Sequence, residues 1–117
     1  METTAILAIH HVYASAIYEG IKTFEVRKTR INASTIYLYE TAPIKLITGV
    51  IKIGEPIKLP IEEIKARYLK ETLLTPELID LYAKDRKNLW LWPIIKAERI
   101  KTRPYTGSAI QSFIYIH

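Results

Sequence analysis

The densest run of reactive side chains is Gly20-Ile21-Lys22-Thr23-Phe24-Glu25-Val26-Arg27. It gathers an amine, a hydroxyl, a carboxylate and a guanidinium. Desolvation would lower the pKa of the Lys22 ammonium and make it a usable base or nucleophile. Thr23, Glu25 and Arg27 alternate along the chain, so a strand would present all three on one face. Lys22 with Glu25 has the composition of an acid–base pair, as a ribonuclease would need. The bland alternative is the solvent-facing side of an edge strand, where a Glu–Arg pair contributes little. Metal chemistry has no comparable support. His10 and His11 are adjacent and diverge, His117 is remote, and cysteine is absent. Neither a metal nor a cofactor is expected.

These residues need elements to hold them. Ala5 to Ile9 reads as a buried strand and His11 to Glu19 as a helix that Gly20 ends in a left-handed turn. Lys22 to Lys28 follows as a strand, with Phe24 and Val26 facing the core. Thr35 to Thr41 is a third strand, on which Tyr37 and Tyr39 oppose Ile36 and Leu38. Ile44 to Ile53 is a fourth, and its Gly49 signals a bulge or a close backbone approach. Gly54 to Pro60 reads as a connection and Ile61 to Leu69 as a helix. Thr75-Pro76-Glu77 starts another helix, expected to reach Lys84. Asn88 to Ile100 alternates as a strand interrupted by Pro93, hence an edge or a bulge. Ile110 to Ile116 closes the series. This order predicts an α+β fold, a small mixed sheet curled into a barrel with helices at its ends.

The chain has 117 residues, enough for one domain (1–117) and one core, with little to spare for a second. A net charge of +5 favours anionic partners, nucleic acid first. Lys84, Arg86 and Lys87 precede Trp90 and Trp92, and Lys96, Arg99, Lys101 and Arg103 follow. Exposed, the tryptophans would form a stacking platform for bases. A Leu-Trp-Leu-Trp run in a small barrel is more often core. No apolar run approaches a membrane span, and Met1-Glu2-Thr3-Thr4 lacks the features of a signal peptide, so a cytoplasmic location is expected. The Ile-, Lys-, Arg- and Glu-rich usage resembles that of thermophiles. Asn32-Ala33-Ser34 reads as a turn.

Gly20-Ile21-Lys22-Thr23-Phe24-Glu25-Val26-Arg27 resembles the G-x-K-T-x-E-x-R signature of the ASCH family in the PUA-like superfamily. The preceding strand and helix, Tyr39 to Gly49 around Pro43, Trp92 to Ala97 and Ile110 to Ile116 resemble further passages of that family. The resemblance implies a PUA-like β-barrel with a cleft that takes RNA or a modified nucleoside. Lys22, Thr23, Glu25 and Arg27 would line it, with Tyr37 or Tyr39 for stacking. Some small members hydrolyse N4-acetylcytidine through a Lys, a Thr and a Glu. Their Lys matches Lys22 and their Glu matches Glu71, but their Thr falls at Glu25. Strict alternation also turns Lys22 away from Glu25, so a bend after Gly20 is needed to unite them.

Overall fold

The computed structural model describes residues 3–116. Met1, Glu2 and His117 lie outside the described residues, and with them part of the N-terminal stretch and the third histidine considered above. The elements are β1 (Thr4–Ile9), α1 (His11–Tyr18), β2 (Phe24–Arg27), β3 (Thr35–Glu40), β4 (Leu46–Ile53), β5 (Ile57–Pro60), α2 (Ile61–Arg67), α3 (Leu69–Thr72), α4 (Pro76–Ala83), β6 (Asn88–Pro104) and β7 (Phe113–Ile116). The sheet runs β2-β6-β4-β3-β1-β7, with β5 also paired to β6. Among the described residues only β1 and β3 pair in parallel, and α1 and β2 lie in the long crossover that such a pair requires. The sheet curls into a half-barrel of the PUA-like type. No described helix is long and apolar enough to cross a membrane.

Two hydrophobic clusters form where one was expected. Leu7, Ile17, Ile36, Leu38, Ile51 and Trp92 fill the half-barrel, with α1 contributing Ala14 and Ile17. Val26, Leu89 and Leu91 pack instead against Ile61 and Ile64 of α2 and Ile79 of α4. The dividing wall is the β2–β6 pair, in which Glu25 lies opposite Trp92 and Val26 opposite Leu91. Phe24 and Val26 face a core as expected, but it is the second one. The opposite face of β2 is not solvent-facing. It looks into the half-barrel, which is why its charged residues are enclosed. Each large apolar side chain so buried contributes roughly 1.5–3 kcal/mol.

Trp92 is fully buried and its Nε1 donates to Thr29 O, while Trp90 is half-buried beside Arg30. The tryptophans are core and not a platform. The expected connection from Gly54 contains β5, because Ile57 to Pro60 finds an open edge on β6. The helix from Ile61 breaks at Tyr68 and resumes as α3, which ends on Leu73 in the left-handed region. β6 runs past Pro93 to Pro104, and its register against β4 shifts between Ile94 and Lys96, the bulge expected beside the proline. Pro93 is tolerated in this central strand because it stands opposite the gap between β4 and β5, where its carbonyl accepts from Gly54 N.

Gly49 meets both expectations. The ladder shifts register beside it, and a Cβ there would collide with the Tyr18 hydroxyl and the Glu98 carbonyl oxygen. Tyr18 is fixed in turn by a 2.7 Å hydrogen bond to Thr48 Oγ1 and by Arg99 over its ring. Gly49→Ala must therefore displace α1 or β6. It is expected to cost about 2 kcal/mol, read as a lower urea midpoint with an unchanged m-value. A midpoint within error of the parent would show that the approach is not tight.

Candidate nucleoside-binding cleft

Gly20 leaves α1 in the left-handed region (φ 76°), and the N–H groups of both Ile21 and Lys22 then return to Ala16 O. That turn is the bend the alternation required. It keeps Lys22 and Thr23 out of β2, which is shorter than expected at Phe24–Arg27. Thr23 is held through its main chain, donating to Glu71 O and accepting from Ile94 N, each at 2.9 Å. Lys22 is consequently aimed into the protein and is 2% exposed.

Lys22 Nζ donates to Thr72 O at 2.5 Å, lies 3.4 Å from Glu25 Oε1 and sits 5.0 Å from the centre of the Tyr13 ring. Glu25, 6% exposed, is fully engaged. Its Oε1 accepts from Val26 N at 3.2 Å, and its Oε2 accepts from Arg27 at 2.7 Å (NH2) and 3.2 Å (Nε). Arg27 continues outward, donating through NH2 to Ala8 O at 3.1 Å and through NH1 to Ser112 Oγ at 3.2 Å. Thus β2 is tied to β1 and to the approach to β7.

Burial lowers the Lys22 pKa, and the attraction of Glu25 only partly opposes this. For Glu25, burial acts upward, but Arg27 and then Lys22 outweigh it and hold the carboxyl below its ordinary value. At neutral pH the cluster therefore holds a firmly ionised carboxylate and an amine made less basic.

Lys22, Glu25 and Arg27 line one cavity of about 550 Å³. Tyr13, Ile9 and Val26 line it too, and Leu74, Leu78, Leu81 and Tyr82 form an apolar wall beside α4. Leu81 is 72% exposed at its mouth. Ala8, His10, Thr41, Ile110 and Gln111 complete the lining. The other residues singled out in the sequence lie elsewhere. Thr23 and Glu71 do not line the cavity, and Glu71 meets the site only through its main chain. The contact anticipated from Glu71 is made to Lys22 by the neighbouring Thr72 carbonyl. Tyr37 and Tyr39 lie on the outer face of the sheet. Residues not foreseen are Tyr13, Ser112 and the α4 leucines. Of these, only the i, i+3 spacing of Leu78 and Leu81 on one face of α4 gave a signal.

A half-barrel with this strand order defines a PUA-like domain. The chain belongs to the ASCH domain family, whose family model matches residues 7–101. It is similar in fold to the ASCH protein from Zymomonas mobilis, at 20% identity and a TM-score of 0.88, covering 97% of this chain and 87% of that chain. A serine-to-alanine variant of that protein gives 18% identity and a TM-score of 0.89, covering 97% and 88%. A tyrosine-to-phenylalanine variant gives 18% and 0.88, covering 97% and 90%. Among curated proteins, none matches the chain significantly.

Glu25→Gln would leave Lys22 and Arg27 as buried like charges without their counter-ion. A loss of about 3–5 kcal/mol is expected in urea unfolding at pH 7. Because the folded pKa of Glu25 is depressed, its contribution is complete above the unfolded value of about 4.3 and is lost as pH falls through the folded one. The gap between parent and variant should therefore narrow in acid. An equal gap at pH 7 and pH 3 would mean that the fold does not depress the Glu25 pKa.

Proposed function

We propose that this ASCH domain binds RNA by taking a nucleobase or modified nucleoside into the cavity around Lys22, Glu25 and Arg27. The carrying observation is the number of donors the cluster leaves free. Lys22 uses one N–H on Thr72 O and one toward Glu25. That leaves one for a ligand beside the Tyr13 ring. Arg27 uses Nε, both N–H groups of NH2 and one of NH1, which leaves another. Two free donors and a single net positive charge suit the carbonyl oxygens and ring nitrogens of a base better than a dianionic phosphate. Tyr13 and Tyr82 offer aromatic faces, and the leucines of α4 offer an apolar wall, for the flat rings. Bases splayed out of single strands are the usual targets of such pockets.

Two observations favour a second reading, hydrolysis of an acyl group carried on such a base. Burial leaves more of Lys22 neutral, and so free to take a proton, than in a free lysine, and the apolar wall would accommodate the acyl methyl. Glu25 stands where the amidohydrolases of the family keep a threonine, and it is committed to Arg27 and Val26. Catalysis would therefore rest on Lys22, with Glu25 holding its charge and Glu71 acting only through its main chain.

Lys22→Met keeps the volume and removes the charge. It is expected to weaken binding of cytidine and N4-acetylcytidine at least tenfold by calorimetry, with the fold retained by circular dichroism. Unchanged binding would reject the cavity as the nucleoside site. Acetate release from N4-acetylcytidine by the parent, abolished in Lys22→Met, would add the hydrolase activity. Binding without release leaves a recognition module.

A further inference from the structure

The outer face of β6-β4-β3 has no helix over it among the described residues, because α1 packs inside the half-barrel and α2 and α4 pack on the second cluster, while over β1 the same face is closed, with Ile6 and Ala8 buried. On this face Tyr37 and Tyr39 alternate with the core residues Ile36 and Leu38. Arg103 lies over the Tyr37 ring at 5.1 Å, and the rings of Tyr39 and Tyr105 are 5.5 Å apart. Next to them, the ladder sets Lys52 directly opposite Lys96. Both are exposed, and neither has an ion-pair partner among the described residues. Like charges facing each other across two strands destabilise a sheet. An anion shared between them would relieve it. Glu98, opposite Val50, is the one carboxylate in this stretch, against Lys52, Lys96 and Arg103.

Cations with aromatic rings and a guanidinium plane on an open sheet match the backbone and bases of a single strand. The face also adjoins the cavity. Thr41 follows Tyr39 by two residues and lines the cavity, as do Ile110 and Gln111 of the segment after Tyr105. We infer that the outer sheet face is a second part of the RNA site, a track that holds single-stranded nucleotides beside the cavity. Lys52, Lys96 and Arg103 contact phosphates, and Tyr37, Tyr39 and Tyr105 contact bases. The inference rests on the RNA reading above but not on the cavity being the base pocket.

A fluorescein-labelled oligouridylate of roughly 12 nucleotides tests it. Lys52→Gln/Lys96→Gln is expected to weaken oligouridylate binding about tenfold and to reduce the slope of log K against log salt by about 1.4, roughly 0.7 for each lost phosphate contact. Its thermal midpoint should not fall, since a repulsion is removed. Tyr37→Ala should weaken binding about tenfold and Tyr37→Phe should restore it. Cytidine binding should be unchanged in all three. Oligouridylate affinity and salt slope unchanged in the double variant would overturn the track, whatever cytidine does. Self-association of the parent, lost in the double variant with RNA binding intact, would also overturn it and assign the face to a second copy of the chain. Failure of cytidine to bind, with oligouridylate still sensitive to Lys52 and Lys96, would reject the cavity and leave the track standing.

Discussion

The Glu25–Arg27 pair is the interaction on which the rest of the structure depends. A curled sheet that does not close leaves edge strands with unpaired main-chain groups. Here β2 forms one end of the strand order, and β1 and β7 the other. The Arg27 guanidinium spans them, bonding Ala8 O and Ser112 Oγ while Glu25 fixes its angle. Side chains thus do what a further strand would do in a closed barrel. Because the closure is made of charged groups, it creates a polar cavity at the seam instead of a sealed core.

Burying three charges together is unfavourable in itself, since the desolvation of each ion costs several kcal/mol. The cost is tolerable because every charge is hydrogen-bonded as well as paired. Glu25 takes the Val26 N–H and two bonds from Arg27, and Lys22 has the Thr72 carbonyl. Hydrophobic residues of equal volume would hold the same wall at less cost. A cluster kept charged under those conditions fits the recognition role argued from its free donors.

Much of this was legible in the chain because local chemistry and tertiary context agree. Gly20 after an amphipathic helix announces a left-handed exit, and Gly49 inside an apolar strand announces a neighbour too close for a Cβ. Thr75 before Pro76 marks a helix start, and its hydroxyl accepts from Leu78 N. The failures are all long-range. Ile57 to Pro60 becomes a strand only because β6 offers it an edge. Pro93 sits in a central strand only because the partner strand breaks opposite it. Whether Glu25 faces water or a cavity depends on residues at Ala8 and Ser112, which no local window contains. Tyr37 and Tyr39 were correctly turned away from Ile36 and Leu38. Alternation cannot say that the far side of that sheet is the outer surface and not the cleft.

The pairing of β1 has a consequence for the order in which the chain can fold. Its first neighbour, β3, lies about thirty residues away, but its second, β7, lies about a hundred residues away, with Thr4 opposite Ile116. Contacts so distant in sequence come at a high loop-closure cost and late in folding. During synthesis β1 must therefore stand with one edge bare until β7 emerges. The seam that Arg27 closes through Ser112 cannot form before then. The cavity is completed last, and a chain that holds a ligand there has already finished folding.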